Sequence, residues 1–178
     1  ITNPRDIKSF VKELKKHQFT FISGVNTLFN KLLLDNNFKD CDFSKLRISL
    51  AGGMQVQKNV AEKWQSITGN VLSVGYGLSE TSPAASIDPI GVNSFSDSLG
   101  LPLPSTEISI QDDNGNLLNF NEAGEICIRG PQVMKGYWNN PEETNNVITS
   151  DGWFKTGDIG IMNEEGYPKI VDRKKDMI

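Results

Sequence analysis

Two glycine-bearing segments and one hydroxyl–carboxylate pair are the parts of this chain best suited to chemistry. Gly52-Gly53 and Gly75-Tyr76-Gly77 each follow a strand-like run, Arg47 to Leu50 and Val71 to Val74. Glycine lets the main chain approach a flat ligand closely or take up positive φ. Tyr76, between two glycines, can present its ring as a stacking surface. Just downstream, Leu78-Ser79-Glu80-Thr81 sets a hydroxyl beside a carboxylate. Such a pair can serve a phosphate oxygen and a Mg2+ ion together, since Mg2+ favours carboxylates combined with substrate phosphates. Each feature also has a plain structural reading: a glycine after a strand is often only a turn, and a Ser-Glu pair is often a helix cap or a solvated turn.

Other chemistries lack their parts. His17 is the only histidine, so Ser-His or Cys-His catalysis and His-rich metal sites are not supported. Cys41 and Cys127 are far apart and read as two buried free thiols. The net charge is −4, from 22 acids against 18 bases, which gives no support to a nucleic-acid partner. No run approaches the ~20 apolar residues of a membrane span, and no signal peptide is visible. At 178 residues the chain suffices for one ordinary domain or two small ones. It starts at Ile1 and stops just after the charged run Asp172-Arg173-Lys174-Lys175-Asp176, so its ends read as those of a fragment.

The elements that must hold these residues follow from periodicity. Asn3 is expected to cap a helix with Pro4 in its first turn, and Ile7, Phe10, Val11 and Leu14 form its apolar stripe. Lys8, Lys12, Lys15 and Lys16 fill the other side, either a solvated face or a face lying on a membrane. Phe19 to Ile22 reads as a strand, and Val25, Leu28, Phe29, Leu32 and Leu33 as a helix. Val56, Val60, Trp64 and Ile67 mark a third helix, closed by Gly69. Strands separated by helices of this length imply βαβ units of a mostly parallel sheet.

The pattern changes after about Pro89. Glu107 to Gln111 and Gly124 to Arg129 alternate as strands, with a hairpin turn at Asn114-Gly115. A second hairpin is expected from Ile159 to Met162, through Glu164-Glu165-Gly166, to Pro168 to Val171. The only helical signal is a turn near Pro141 to Thr144. The expected architecture is α/β over residues 1–93, then a small antiparallel β-barrel or sandwich over 94–171, with 172–178 as a hinge.

Gly75-Tyr76-Gly77-Leu78-Ser79-Glu80 resembles the Gly-Tyr-Gly-x-Thr-Glu motif of the adenylate-forming superfamily, which includes acyl-CoA synthetases, peptide-synthetase adenylation domains and firefly luciferase. Three further segments fit that family in the right order. Leu50-Ala51-Gly52-Gly53-Met54 is similar to its adenine-binding segment, and Gly152-Trp153-Phe154-Lys155-Thr156-Gly157-Asp158 to its Thr-Gly-Asp motif. Val171 to Ile178 is similar to the start of its hinge motif.

The resemblance implies roles by position. Gly52, Gly53 and Tyr76 would sandwich an adenine, with Met54, Gly75, Gly77 and Leu78 in the same nucleotide-binding segments. Ser79 stands where the family usually has Thr and would meet the α-phosphate; Glu80 would hold Mg2+. Asp158 would accept hydrogen bonds from both ribose hydroxyls, Arg173 would reach the same ribose, and Ile170 would pack on the nucleotide. Lys175 would be the pivot of a C-terminal domain. The implied cosubstrates are ATP and coenzyme A. No Ser/Thr/Gly-rich phosphate loop ending in Pro-Lys occurs in these residues, so the piece alone is expected to have no turnover.

Long local matches bring the resemblance closer to bacterial long-chain fatty acid–CoA ligases. They are Ser23 to Thr27, Gly52 to Gln57, Gly100 to Glu107, Gly130 to Trp138 and Val171 to Ile178. A cytoplasmic protein, with peripheral association at the inner face of the membrane as an open option, is implied. The alternatives are an aryl-CoA ligase, another acyl-adenylating enzyme, or a non-catalytic nucleotide-binding module.

Overall fold

The computed structural model describes residues 3–173. Residues up to Val74, together with Pro89–Asp97, form one compact unit; Gly75–Asp88, together with the residues from Ser98 onward, form another.

In the first unit, α1 (Ile7–Leu14) buries Phe10, Val11 and Leu14 as the apolar stripe requires. Its cap is Asp6 rather than Asn3. The Asp6 carboxylate accepts hydrogen bonds from the Ser9 backbone N at 3.2 Å and the Ser9 hydroxyl at 2.7 Å, whereas the Asn3 side chain accepts from Arg5 N in the preceding turn. Strand β1 (Phe21–Gly24) begins two residues later than the apolar run suggests. Phe19 instead packs edge-on against Phe43, with ring centroids 6.0 Å apart. Helix α2 (Asn26–Leu34), strand β2 (Ile48–Ala51), helix α3 (Lys58–Thr68) and strand β3 (Leu72–Tyr76) follow.

β1 pairs with β2, and β2 with β3, all parallel, so the expected alternation of strand and helix holds. Trp64 anchors the core and is fully buried. Its ring meets Phe29 edge-on at 4.8 Å, and its Nε1 donates to Ser49 Oγ at 2.9 Å, satisfying the one polar atom such a ring brings inside. Gly69 ends α3 at φ 69°, a conformation that favours glycine.

In the second unit, the last two residues of β3 pair antiparallel with β4 (Ser86–Ile87), which pairs with β5 (Leu101–Pro102). A four-stranded antiparallel sheet follows in the order β6 (Glu107–Gln111), β7 (Gly124–Arg129), β8 (Phe154–Met162), β9 (Pro168–Arg173). It is a curled half-barrel, since among the described residues β6 and β9 do not pair. Ile110, Ile126 and Ile128 form its core with Tyr76 and Ala85. Arg129 ties the sheet to a neighbouring loop: its guanidinium grips the Glu107 carboxylate at 2.8 and 2.9 Å and lies 4.6 Å from the Trp153 ring. One helix, α4 (Pro141–Val147), interrupts the strands. Cys41 and Cys127 are buried, and neither forms a disulfide. Among the described residues no helix is long and apolar enough to cross a membrane.

Candidate functional site

Within the second unit, the Gly75 to Pro83 segment is fixed by its own main chain. Gly75 pairs with Ile87 and Tyr76 with Ser86 at the end of β3. Gly77 lies so close to the following loop that a Cβ there would fall 1.8 Å from the Pro83 carbonyl oxygen and 2.7 Å from Ala84 Cα. Its glycine is therefore required by backbone packing. Gly77→Ala is expected to displace that loop and destabilise the protein by about 1–3 kcal/mol, read as a lower thermal midpoint.

The chain then makes a single 3-10 turn at Ser79–Thr81. Thr81, fully buried, holds it: its hydroxyl accepts from Leu78 N at 2.9 Å and lies 3.0 Å from the carbonyl oxygens of Leu78 and Pro83, to one of which it donates. Ser79 is exposed and Glu80 half-buried on this turn.

The Thr156-Gly157-Asp158 segment lies inside β8 as a bulge. The β7–β8 register runs from Glu125 opposite Ile159 to Cys127 opposite Lys155, so Thr156, Gly157 and Asp158 stand against Ile126 alone. A bulge takes backbone groups out of the ladder, and side chains take over here. The Thr156 hydroxyl donates to Ile126 O at 2.8 Å and accepts from Asp158 N at 3.1 Å, while Glu125 Oε1 accepts from Gly157 N at 2.9 Å. Gly157 has φ 76°, so its glycine meets a conformational demand.

The bulge carries Asp158 into the interior, where it is only 4% exposed. Its Oδ2 accepts a hydrogen bond from the Tyr76 hydroxyl at 2.7 Å. Tyr76 is itself 9% exposed and belongs to the core cluster, with Leu78 and Ile170 packed against that cluster. The tyrosine expected only as a stacking ring thus also grips the expected ribose-binding carboxylate. Arg173 stands opposite Asp158 in the β8–β9 register, and Ile170 opposite Gly160, with a further bulge between.

Glu80 has a comparable partner. Its Oε1 accepts from the Tyr137 hydroxyl at 2.9 Å, and its backbone carbonyl accepts from Met134 N at 2.8 Å. Burial first, and the Glu80 hydrogen bond second, raise the Tyr137 phenol above its usual 10. Among the described residues no group of three or more His, Cys, Asp or Glu could hold a metal. Glu80 nevertheless fits a cation that arrives with phosphates, the arrangement Mg2+ favours.

The structure thus joins Tyr76 to Asp158 and Tyr137 to Glu80. Gly52, Gly53 and Met54 lie in the other unit, in the turn after β2, with Gly53 at φ 73° and Met54 exposed. Lys175 is outside the described residues. Sequence reasoning did not single out Tyr137 or Glu125 as functional. Tyr137 sits within the Gly130 to Trp138 match, but nothing in its spacing announces a partner 57 residues away.

Comparison with known proteins adds a family. The profile of the family described as AMP-binding enzyme matches residues 1–138. The long-chain-fatty-acid–CoA ligase of Yersinia pestis is 54% identical over 178 residues, all of this chain and 32% of that protein. The probable 4-coumarate–CoA ligase 2 of Dictyostelium discoideum is 43% identical over 140 residues, 77% of this chain and 25% of that protein. The crystal structure of ATP-bound MatB from Rhodopseudomonas palustris matches with a TM-score of 0.88 at 28% identity, over 97% of this chain and 34% of that chain. The chain spans about a third of the length of the curated relatives it matches.

Proposed function

We propose, because the chain belongs to the AMP-binding enzyme family, that the protein is a long-chain fatty acid–CoA ligase. The observation that carries this reading is the match to the fatty-acid ligase, which extends over the whole chain at higher identity than the match to the coumarate ligase. The latter favours an aryl-CoA ligase as the second reading. A non-catalytic module fits less well, since Glu80, Asp158 and Arg173 are all present.

The proposed reaction has two steps. A fatty carboxylate attacks the α-phosphorus of ATP, the α–β bond breaks, and pyrophosphate leaves. The thiol of coenzyme A then attacks the carbonyl of the acyl-adenylate, with loss of the thiol proton, and AMP leaves with the bond to its phosphate oxygen. In this scheme Asp158 holds the ribose, assisted by Arg173, and Ile170 packs on the nucleotide. Gly52, Gly53 and Met54 are proposed to serve the adenine, and Gly75, Tyr76, Gly77 and Leu78 are proposed as nucleotide-binding residues. Ser79 meets the α-phosphate, and Glu80 supplies the negative charge toward a phosphate-borne divalent cation, which would offset charge on the oxygens. Lys175, within the 172–178 hinge, is the proposed pivot between the two steps, following the proposed α/β part at 1–93 and the barrel-like part at 94–171. A cytoplasmic location with peripheral membrane contact goes with a fatty-acid substrate.

A substrate screen on the complete gene product tests this. Palmitate-like acids are expected to support AMP and pyrophosphate release at higher kcat/KM than aromatic acids. The reverse order would remove the fatty-acyl assignment while leaving adenylation intact.

A further inference from the structure

Glu80 is tied through both its main chain and its side chain to one distant segment. Its backbone carbonyl is held by Met134 N, and its Oε1 by the Tyr137 hydroxyl. That segment is itself fixed. Tyr137 N donates to Thr144 Oγ1 at 2.9 Å, and Thr144 in turn donates to Asn140 O at 2.8 Å in the first turn of α4. Gly136 lies so close that a Cβ there would meet Thr144 Cγ2 at 2.7 Å and Oγ1 at 2.9 Å. On the other side, the turn bearing Glu80 is locked by buried Thr81. The phenol is therefore a fixed donor meeting a carboxylate on a fixed turn. Among the described residues, no hydrogen bond engages Glu80 Oε2.

From this geometry we propose that Tyr137 is a positioning residue: it fixes the Glu80 side chain with one oxygen engaged and the other turned out to a phosphate-borne divalent cation. The proposal rests on the reading of Glu80 given above. A flexible glutamate would have to surrender rotamer freedom each time a cation arrived. A glutamate already held by a phenol has surrendered it on folding, and the partner also keeps the charge oriented. Tyr137 touches no reacting atom in this scheme; it acts through Glu80.

The test uses Tyr137→Phe, which keeps the ring and removes only the hydroxyl, in the complete gene product. Binding of Mn2+ is followed by electron paramagnetic resonance in the presence of α,β-methylene-ATP, whose α–β bridge cannot be cleaved to transfer the adenylyl group. Tyr137→Phe is expected to weaken Mn2+ binding by about 10-fold, within the range for partners that orient a metal ligand. The thermal midpoint should stay close to that of the unmodified protein. Glu80→Gln should weaken Mn2+ binding at least as much, and adding Tyr137→Phe to it should have no further effect. If Glu80→Gln weakens binding but Tyr137→Phe does not, the positioning role is wrong and the reading of Glu80 stands. If neither does, both fall. A Tyr137→Phe effect that persists undiminished in the Glu80→Gln background would show that Tyr137 acts through the fold and overturn the proposal.

Discussion

Glu80→Gln is expected to lower adenylate formation on the order of 10²–10³-fold while the protein remains folded. Glutamine has the size of glutamate, and its amide oxygen can still accept from the Tyr137 hydroxyl, so the link between the turn at Ser79–Thr81 and the segment at Met134 to Tyr137 survives. The backbone tie from Met134 N to residue 80 is untouched by the substitution. What disappears is the negative charge, and with it the attraction to a cation carried by the phosphates. Isotope exchange between pyrophosphate and ATP, titrated with Mg2+, reads the loss directly. Wild-type exchange at the wild-type Mg2+ dependence would mean that Glu80 serves the turn alone.

The second large effect is expected at Asp158. A hydrogen bond to a charged group contributes about 1.5–3 kcal/mol, so removing the carboxylate should weaken productive ATP binding by roughly 10- to several-hundred-fold. The structure changes how this should be measured. Asp158 is buried and accepts from Tyr76, so Asp158→Ala removes the proposed ribose acceptor and also a hydrogen-bond partner of a buried phenol. Part of its effect would then be a loss of fold, since a buried polar group deprived of its bond costs about 1–3 kcal/mol. Asp158→Asn keeps the volume and an acceptor for Tyr76, and so isolates the charge. With Asp158→Asn, the KM for ATP in the exchange assay should rise at least tenfold with little change in thermal midpoint. An unchanged ATP dependence in both variants would make the Thr-Gly-Asp bulge purely structural.

Much of the fold was legible because local signals and tertiary packing agree. Glu107–Gln111 and Gly124–Arg129 form strands with the bounds their alternation suggests, and Gly69 closes α3 where its pattern ends. The failures are instructive about which force prevailed. Asn3, expected as the cap, accepts from Arg5 N in the preceding turn, and Asp6 takes its place because its carboxylate reaches the Ser9 N–H three residues on. Helix α4 has strong starting signals, Asn140 as cap, Pro141 in the first turn and acids after it, but it buries no residue, so a search for an apolar stripe finds little. Strand β8 begins at Phe154, upstream of the expected Ile159, because the Thr-Gly-Asp bulge interrupts the alternation that marks a strand.

The candidate site divides in the same way. Motif positions could be named from sequence because their types and order suffice. Their partners could not. Tyr137 and Glu125 act on residues 57 and 32 positions away, and pairing at that separation leaves no periodic trace.

The two phenol–carboxylate pairs also bear on how the molecule folds. The bonds that lock the 3-10 turn span two or three residues, whereas Tyr76 and Asp158 are 82 apart and Tyr137 and Glu80 are 57 apart. Closing a loop of that length carries about 3 kcal/mol more chain entropy than closing a turn. Local turns therefore form early, and the phenols meet their carboxylates late, after the sheet has brought distant strands together. Interactions absent from the transition state influence the rate of unfolding and leave the rate of folding almost unchanged. Loss of the buried Tyr76 hydroxyl would accordingly yield a protein that folds on schedule and holds its native state for a shorter time.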